Sequence, residues 1–191
     1  MAGKEIMRCG WVSNDPIYIN YHDQEWGKPL HDDQALFELL ILEGFQAGLS
    51  WITVLKKREN FRIAFDGFNP SKVAAYSNEK VEELVNNANI IRHRGKINAA
   101  IKGAQIFLTF GKKEESFSHY LWSFVNHQPI VNKWESLKEV PAISPESITM
   151  SKALKKKGFN FCGPTICYAF MQASGMVNDH TTDCFLSESN Y

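Results

Sequence analysis

The sequence predicts an all-α fold. Apolar residues recur at intervals of three and four along most of the chain, and helix-capping residues stand at the starts of those stretches. No stretch alternates apolar and polar residues as a half-buried strand does. Asp32 or Asp33 is placed to cap a helix whose Leu36, Phe37, Leu39, Leu40 and Leu42 share one face. The pattern resumes from Ser50 to Phe65 through Ile52, Val54, Leu55 and Phe61. Asn69-Pro70 opens a short helix through Ala75, because proline is tolerated in a first helical turn. Asn78 to Asn86 reads as another helix. Gly95 to Thr109 is a longer one with Ile97, Ile101, Ala104 and Leu108 on a face, and Ser116 starts a helix to about Val125. Prolines between Gln128 and Pro145 predict a loop. Two last helices, Ile148 to Lys157 and Gly163 to Met176, flank a turn that carries glycine. No repeat or low-complexity tract interrupts them.

With 191 residues the chain fits one or two small domains and can bury a real core. It has no apolar run able to span a bilayer, and no basic start, apolar stretch and small-residue cleavage site. Cys162 and Cys167 fall in the apolar stretch FCGPTICYAF, where thiols behave as small hydrophobes rather than as a disulfide framework. The expectation is a soluble protein of a reducing cytoplasm, without a membrane partner.

Basic and acidic residues balance at 21 each, so net charge neither demands nor forbids a polyanionic partner. Their distribution says more. Lys56, Lys57 and Arg58 form one cluster, Arg92, His93, Arg94 and Lys96 a second, and Lys152, Lys155, Lys156 and Lys157 a third. Each describes a solvated helix face equally well; together they suit a one-sided phosphate-binding surface. In the N-terminal segment Trp11, Tyr18, Tyr21 and Trp26 stand between polar residues without helical or strand period. That is closer to a pocket wall than to a core stripe, although each ring also reads as core packing.

Cys9 with His22 and His180 with Cys184 stand near opposite ends of the chain. Two thiolates and two imidazoles are the ligand set that tetrahedral Zn²⁺ prefers. His180 and Cys184 are four positions apart, so a helical turn would face them the same way. Twelve residues separate Cys9 from His22, which calls for a loop. Alone, each pair is a weak signal. Held by one ion, they would fasten the two ends of the chain together.

The turn KGFNFCGPT, Lys157 to Thr165, has a glycine suited to a left-handed helix cap, then Gly163-Pro164 suited to opening the next helix. Amides at that second start, with Gly163 and Thr165, can receive a phosphate oxygen. Such a helix–hairpin–helix holds a DNA backbone without reading sequence. An ordinary αα-hairpin fits the same residues.

Taken in order, the blocks RCGW (8–11), YHDQEWG (21–27), LEGFQAGLSW (42–51), IIRHRGK (90–96), WSFVNHQP (122–129) and VNDH (177–180) resemble the bacterial DNA-3-methyladenine glycosylase I family. The resemblance covers nearly everything from Arg8 to Cys184. It implies an all-α helix–hairpin–helix DNA glycosylase fold, one unit over residues 1–191. The helical region would run from about 33 to 176, and segments of about 7–30 and 177–185 would be joined by structural zinc on Cys9, His22, His180 and Cys184. It further implies a bacterial, cytoplasmic, monomeric enzyme of base-excision DNA repair. Its partner is double-stranded DNA with alkylated adenine, and its product is free 3-methyladenine. Phe45 departs from the family, where a more polar residue is expected, and puts the pocket floor in doubt. The residues before Arg8 and the tail after Cys184 carry no motif.

Alkylation at N3 makes the purine cationic and weakens its bond to the sugar, so choosing the lesion is harder than breaking the bond. Aromatic faces attract such a cation by about 0.5–2 kcal/mol per contact. By resemblance Glu43 is the catalytic residue, accepting hydrogen bonds from the adenine edge. Tyr21 and Trp51 are candidates to stack on the base, with Trp11, Tyr18 and Trp26 lining the pocket. Gly48-Leu49 is a candidate wedge for the gap left by the flipped base. Asp179, beside His180, reads as support for a zinc ligand. No lysine is poised for Schiff-base attack, so a monofunctional enzyme that leaves an abasic site is expected. The competing readings are a non-catalytic, zinc-stabilised binder of damaged DNA and a nucleosidase acting on small molecules.

Overall fold

Proline and the residue ahead of it set where four of the helices start. The computed structural model describes residues 6–111 and 115–187. In chain order come α1 (Pro16–Gln24), α2 (Asp33–Gln46), α3 (Trp51–Leu55), α4 (Arg58–Ala64), α5 (Pro70–Ala74), α6 (Asn78–Asn86) and α7 (Arg94–Phe107). Then follow α8 (Phe117–Trp122), β1 (Ile130–Val131), α9 (Pro145–Lys157), α10 (Pro164–Ala173) and β2 (Val177–Asn178). Proline opens α1, α5, α9 and α10, where a missing N–H costs nothing. Asp15, Asn69 and Ser144 cap the first three by accepting from backbone amides, whereas no side chain caps α10. Asp32, Ser77 and Ser116 do the same for α2, α6 and α8.

The mostly helical expectation is borne out, with four local differences. The aperiodic stretch around Tyr18 and Tyr21 is helical, so His22 sits in the last turn of α1 rather than on a loop. The helix expected from Ser50 to Phe65 is two, broken at Lys56-Lys57, where the Lys57 ammonium donates to the carbonyls of Ala88 and Asn89. Ile130 and Val131 pair in parallel with Val177 and Asn178 inside what sequence reads as loop and helix end. His180 and Cys184 lie on a turn closed by the Cys184 amide and the Thr181 carbonyl, not on a helix. The extreme ends, residues 1–5 and 188–191, lie outside the described residues.

α2 runs through the core, packed by α7, α10 and α3. Its Phe37 and Phe45 are fully buried, Phe45 against Phe61 and Phe65 and Phe37 against Phe107. No described helix is long and apolar enough to cross a membrane.

The N-terminal segment is laid over the end of α10, the Gly27 and Leu30 amides donating to the Gln172 and Ser174 carbonyls. Gly175 makes this possible. Its φ is +70°, and a methyl group there would lie 2.3 Å from the Lys28 carbonyl carbon and 2.4 Å from the Pro29 nitrogen. Both are main-chain atoms, so no side chain can swing aside. Gly175→Ala is expected to cost about 2–4 kcal/mol of stability, from left-handed strain plus this clash. An unchanged urea midpoint would show instead that the contact yields freely.

Candidate functional site

Trp11 and α1, the end of α2 and the start of α3 meet α10 around a cavity of about 300 Å³. Glu43, Tyr21, Trp51, Trp11, Tyr18 and Trp26 all line it. Sequence reasoning missed Gln46, which follows Glu43 by three positions and so shares its helix face. That i,i+3 spacing was the available signal. Phe45 lies about 200° around the helix from Glu43. It points into the phenylalanine core and does not line the cavity, so it does not form the pocket floor.

Among the described residues, four buried polar atoms of the cavity lining have no partner: Glu43 Oε2, Gln46 Oε1, Trp11 Nε1 and Trp51 Nε1. Buried polar groups are normally satisfied. Two oxygens and two indole N–H groups left open around one space describe a place for a polar, flat guest. Burial pushes the Glu43 carboxyl up to about 8.

The aromatic rings form a continuous wall. Trp11 meets Tyr18 and Trp26 edge-on, each at 5.0 Å between centroids. Tyr21 and Trp51 are 5.5 Å apart and tilted by 48°. A base held between two rings needs about 7 Å, twice a stacking distance, so these two adjoin rather than face each other across a gap. Behind them lies a second cavity of about 280 Å³, lined by the ion pairs Arg58–Glu25 and Arg62–Glu38.

Asp179 also borders the first cavity, but not as support for His180. Its Oδ1 accepts from Asn132 Nδ2 and Trp134 Nε1, and its Oδ2 from Tyr168 Oη and Gln172 Nε2, at 2.7–2.8 Å. Four neutral donors hold a fixed carboxylate whose oxygens are already occupied. The partner of a cluster histidine is Asp23, which sequence reasoning overlooked. Its Oδ1 lies 2.8 Å from His22 Nδ1, and Arg8 grips the same carboxylate.

Cys9, His22, His180 and Cys184 are all buried, with their ligand atoms within 4.8 Å of one another. Cys9 Sγ is 3.3 Å from His180 Nδ1, and Cys184 Sγ is 3.5 Å from both His180 Nδ1 and His22 Nε2. Sulfur and nitrogen ligands on one tetrahedral ion with ordinary bond lengths stand about 3.6 Å apart. The tautomers agree. His22 Nδ1–H donates to Asp23 and His180 Nε2–H to the Trp26 carbonyl, so each remaining lone pair points inward. Proximity of the two sulfurs, with burial, raises Cys9, and the same neighbour together with His180 and His22 lowers Cys184. The group can bind a metal ion. It adjoins the pocket, since Trp26 packs edge-on against His180 at 4.7 Å and Trp11 against His22 at 5.3 Å.

Leu49 is exposed on the loop after α2, beside Gly48 at φ +80°. The hairpin joins α9 to α10 through Gly158, whose φ of 103° lets its amide close the helix end. At Gly163 a methyl group would meet nothing within 4 Å, and Thr165 is exposed, so this start of α10 faces open space. The first two basic clusters are largely engaged within the protein: Lys56 pairs with Asp15, Arg58 with Glu25, Arg94 with Glu82, and Lys96 is buried. Lys152, Lys155 and Lys156 stay exposed on α9.

Residues 11–187 match the family model for methyladenine glycosylase. The chain is 59% identical over 177 residues to DNA-3-methyladenine glycosylase 1 of Escherichia coli strain K12, covering 93% of this chain and 95% of that one. A crystal structure of a 3-methyladenine DNA glycosylase I superposes with a TM-score of 0.92 at 56% identity, covering 94% of this chain and 98% of that one. A Staphylococcus aureus 3-methyladenine DNA glycosylase I, solved to show how it recognises 3-methyladenine, gives 0.92 at 40% identity over 96% and 97% of the two chains.

Proposed function

The chain belongs to the methyladenine glycosylase family, and from that premise we propose how its pocket works. It excises 3-methyladenine from DNA as a repair glycosylase. The observation that carries the reading is Glu43, a buried carboxyl with one open oxygen among aromatic rings. The flipped nucleotide stacks on the wall of Tyr21 and Trp51, with Trp11, Tyr18 and Trp26 completing the enclosure. Glu43 and Gln46 accept the amino protons of the adenine edge, and the indole N–H groups of Trp11 and Trp51 meet its ring nitrogens.

The cationic base attracts the ionised form of Glu43, which unmodified adenine does not. Selection therefore acts through charge as well as shape. The glycosidic electron pair goes to the purine, which leaves neutral, while water adds at the sugar carbon and releases a proton. No lysine lines the cavity among the described residues, so the product is an abasic site without strand cleavage.

The amides of Gly163 and Thr165, with Gly158 shaping the turn, hold a backbone phosphate, and Leu49 fills the space the base vacates. Cys9, His22, His180 and Cys184 would hold zinc, a closed site that ties the terminal segments to the helical region and supplies stability rather than chemistry. The enzyme works as a monomer in the bacterial cytoplasm.

Incubating the protein with methylated duplex DNA and identifying released bases tests the reading. Free 3-methyladenine under multiple turnover is expected; its absence, with DNA still bound, would leave a binder and no enzyme.

A further inference from the structure

A buried lysine on α7 has no role in the chemistry above. Lys96 is only 7% exposed, yet no carboxylate lies among its partners. Its ammonium donates instead to two main-chain carbonyls, Phe45 at 2.9 Å and Ala47 at 2.6 Å. The Phe45 carbonyl belongs to the last turn of α2, where helix geometry leaves acceptors open and favours a cation, and the Ala47 carbonyl to the residue that caps it. Immediately beyond them come Gly48 and the exposed Leu49, whose amide folds back on Gln46 at 2.6 Å before Ser50 opens α3. Beyond that turn's own bonds, Lys96 grips the loop's first residue, Ala47.

The same lysine touches the hairpin. Phe161, exposed at the hairpin tip with φ +54°, has its ring centroid 5.8 Å from the Lys96 ammonium. A methyl group placed on Gly44 would lie 3.5 Å from the Phe161 Cβ and carbonyl oxygen. His93 caps the Lys96 amide and meets the Phe161 ring edge-on at 5.8 Å. Loop, hairpin and the start of α7 therefore converge on one ammonium group.

We propose that Lys96 is a positioning residue for base extrusion, clamping the Leu49 loop to the hairpin so that both meet one duplex in fixed register. This rests on the reading of Leu49 as the wedge and of the hairpin as the backbone anchor. Lys96 lines no part of the pocket, so its loss acts on the path into the pocket and not on recognition of the base within it.

Three measurements separate this from a merely structural lysine. In Lys96→Met, single-turnover excision from a duplex is expected to fall about tenfold to a hundredfold, while affinity for free 3-methyladenine stays within about twofold. Lys96→Arg, keeping charge and reach, should recover most of the rate. In a Leu49→Ala background, Lys96→Met should add no more than about twofold, because the two act as one unit. Parallel losses in free-base affinity and excision, or additive losses in the double variant, overturn the clamp. If Leu49→Ala alone costs nothing, the wedge reading fails and the clamp with it; a costly Leu49→Ala with additive Lys96→Met removes the clamp only. Should Lys96→Met not fold, Lys96→Gln, which keeps a donor for one carbonyl, reads the same ratios.

Discussion

Glu43→Gln is expected to make the protein more stable above neutral pH and a far poorer enzyme. Burial raises the Glu43 carboxyl to about 8, so the folded chain keeps a proton that the unfolded chain releases in the ordinary carboxylate range. The folded state binds more protons across that window. Stability is therefore greatest below the unfolded value and declines as pH climbs toward 8. Glutamine abolishes the decline, and at pH 8 the variant should gain about 1–3 kcal/mol. Excision should fall about 10²-fold, because the amide offers no charge to a cationic purine. The pH profiles then divide. On the proposed role of Glu43, the free enzyme must lose its proton before it can attract the lesion, so kcat/KM should rise with pH up to about 8. In the complex the neighbouring cation lowers the carboxyl, and the limb in kcat should sit at lower pH. Glutamine should flatten both. A variant that keeps the acid limb and near-normal rates would remove Glu43 from the mechanism.

Where sequence reasoning succeeded, short-range rules were sufficient. The cap at Asp32, the helix start at Ser116 and the prolines Pro70 and Pro164 at helix starts are local devices, and the matching elements form where those residues stand. It failed where a distant contact decides. Ile52, Val54, Leu55, Phe61 and Phe65 read as one helix, yet it breaks at Lys56-Lys57, inside a run of five polar residues, where Lys57 reaches the distant carbonyls of Ala88 and Asn89. α1 was invisible for another reason. Only Tyr21 and His22 of its residues are buried, so it has no apolar stripe, and the signal it does carry is Asp15-Pro16.

Adjacency misled in the case of Asp179. Neighbours leaving an extended strand point to opposite sides, so Asp179 turns toward Tyr168 and Gln172 while His180 turns toward Cys9. The pocket residues, by contrast, came together as expected. Gln46 and Asp23 were legible in principle, the first by helical phase with Glu43 and the second as the carboxylate next to a histidine of the Cys/His cluster.

Stripping metal from the Cys9–His22–His180–Cys184 group is expected to damage the pocket as well as the fold. The protein purified without added metal should carry one zinc per chain. Zinc contributes about 10–16 kcal/mol to peptides that have no core of their own. Here α2 and its phenylalanines persist without it, so chelation should cost less, about 4 kcal/mol, or roughly 10 °C in Tm for a chain of this length. The loss is not confined to stability. Trp26 rests on His180 and Trp11 on His22, so loosening the cluster frees two walls of the cavity while Glu43, on α2, stays in place. Affinity for free 3-methyladenine should therefore fall together with the change in tryptophan fluorescence, and both should return when zinc is restored. Asp23→Ala provides the graded version. It removes the acceptor that fixes the His22 tautomer and should weaken zinc by about 10–100-fold without touching a ligand. A metal-free chain that melts with the native one and binds the base equally well would reduce the cluster to ordinary packing. The N-terminal segment would then be held only by its bonds to the end of α10.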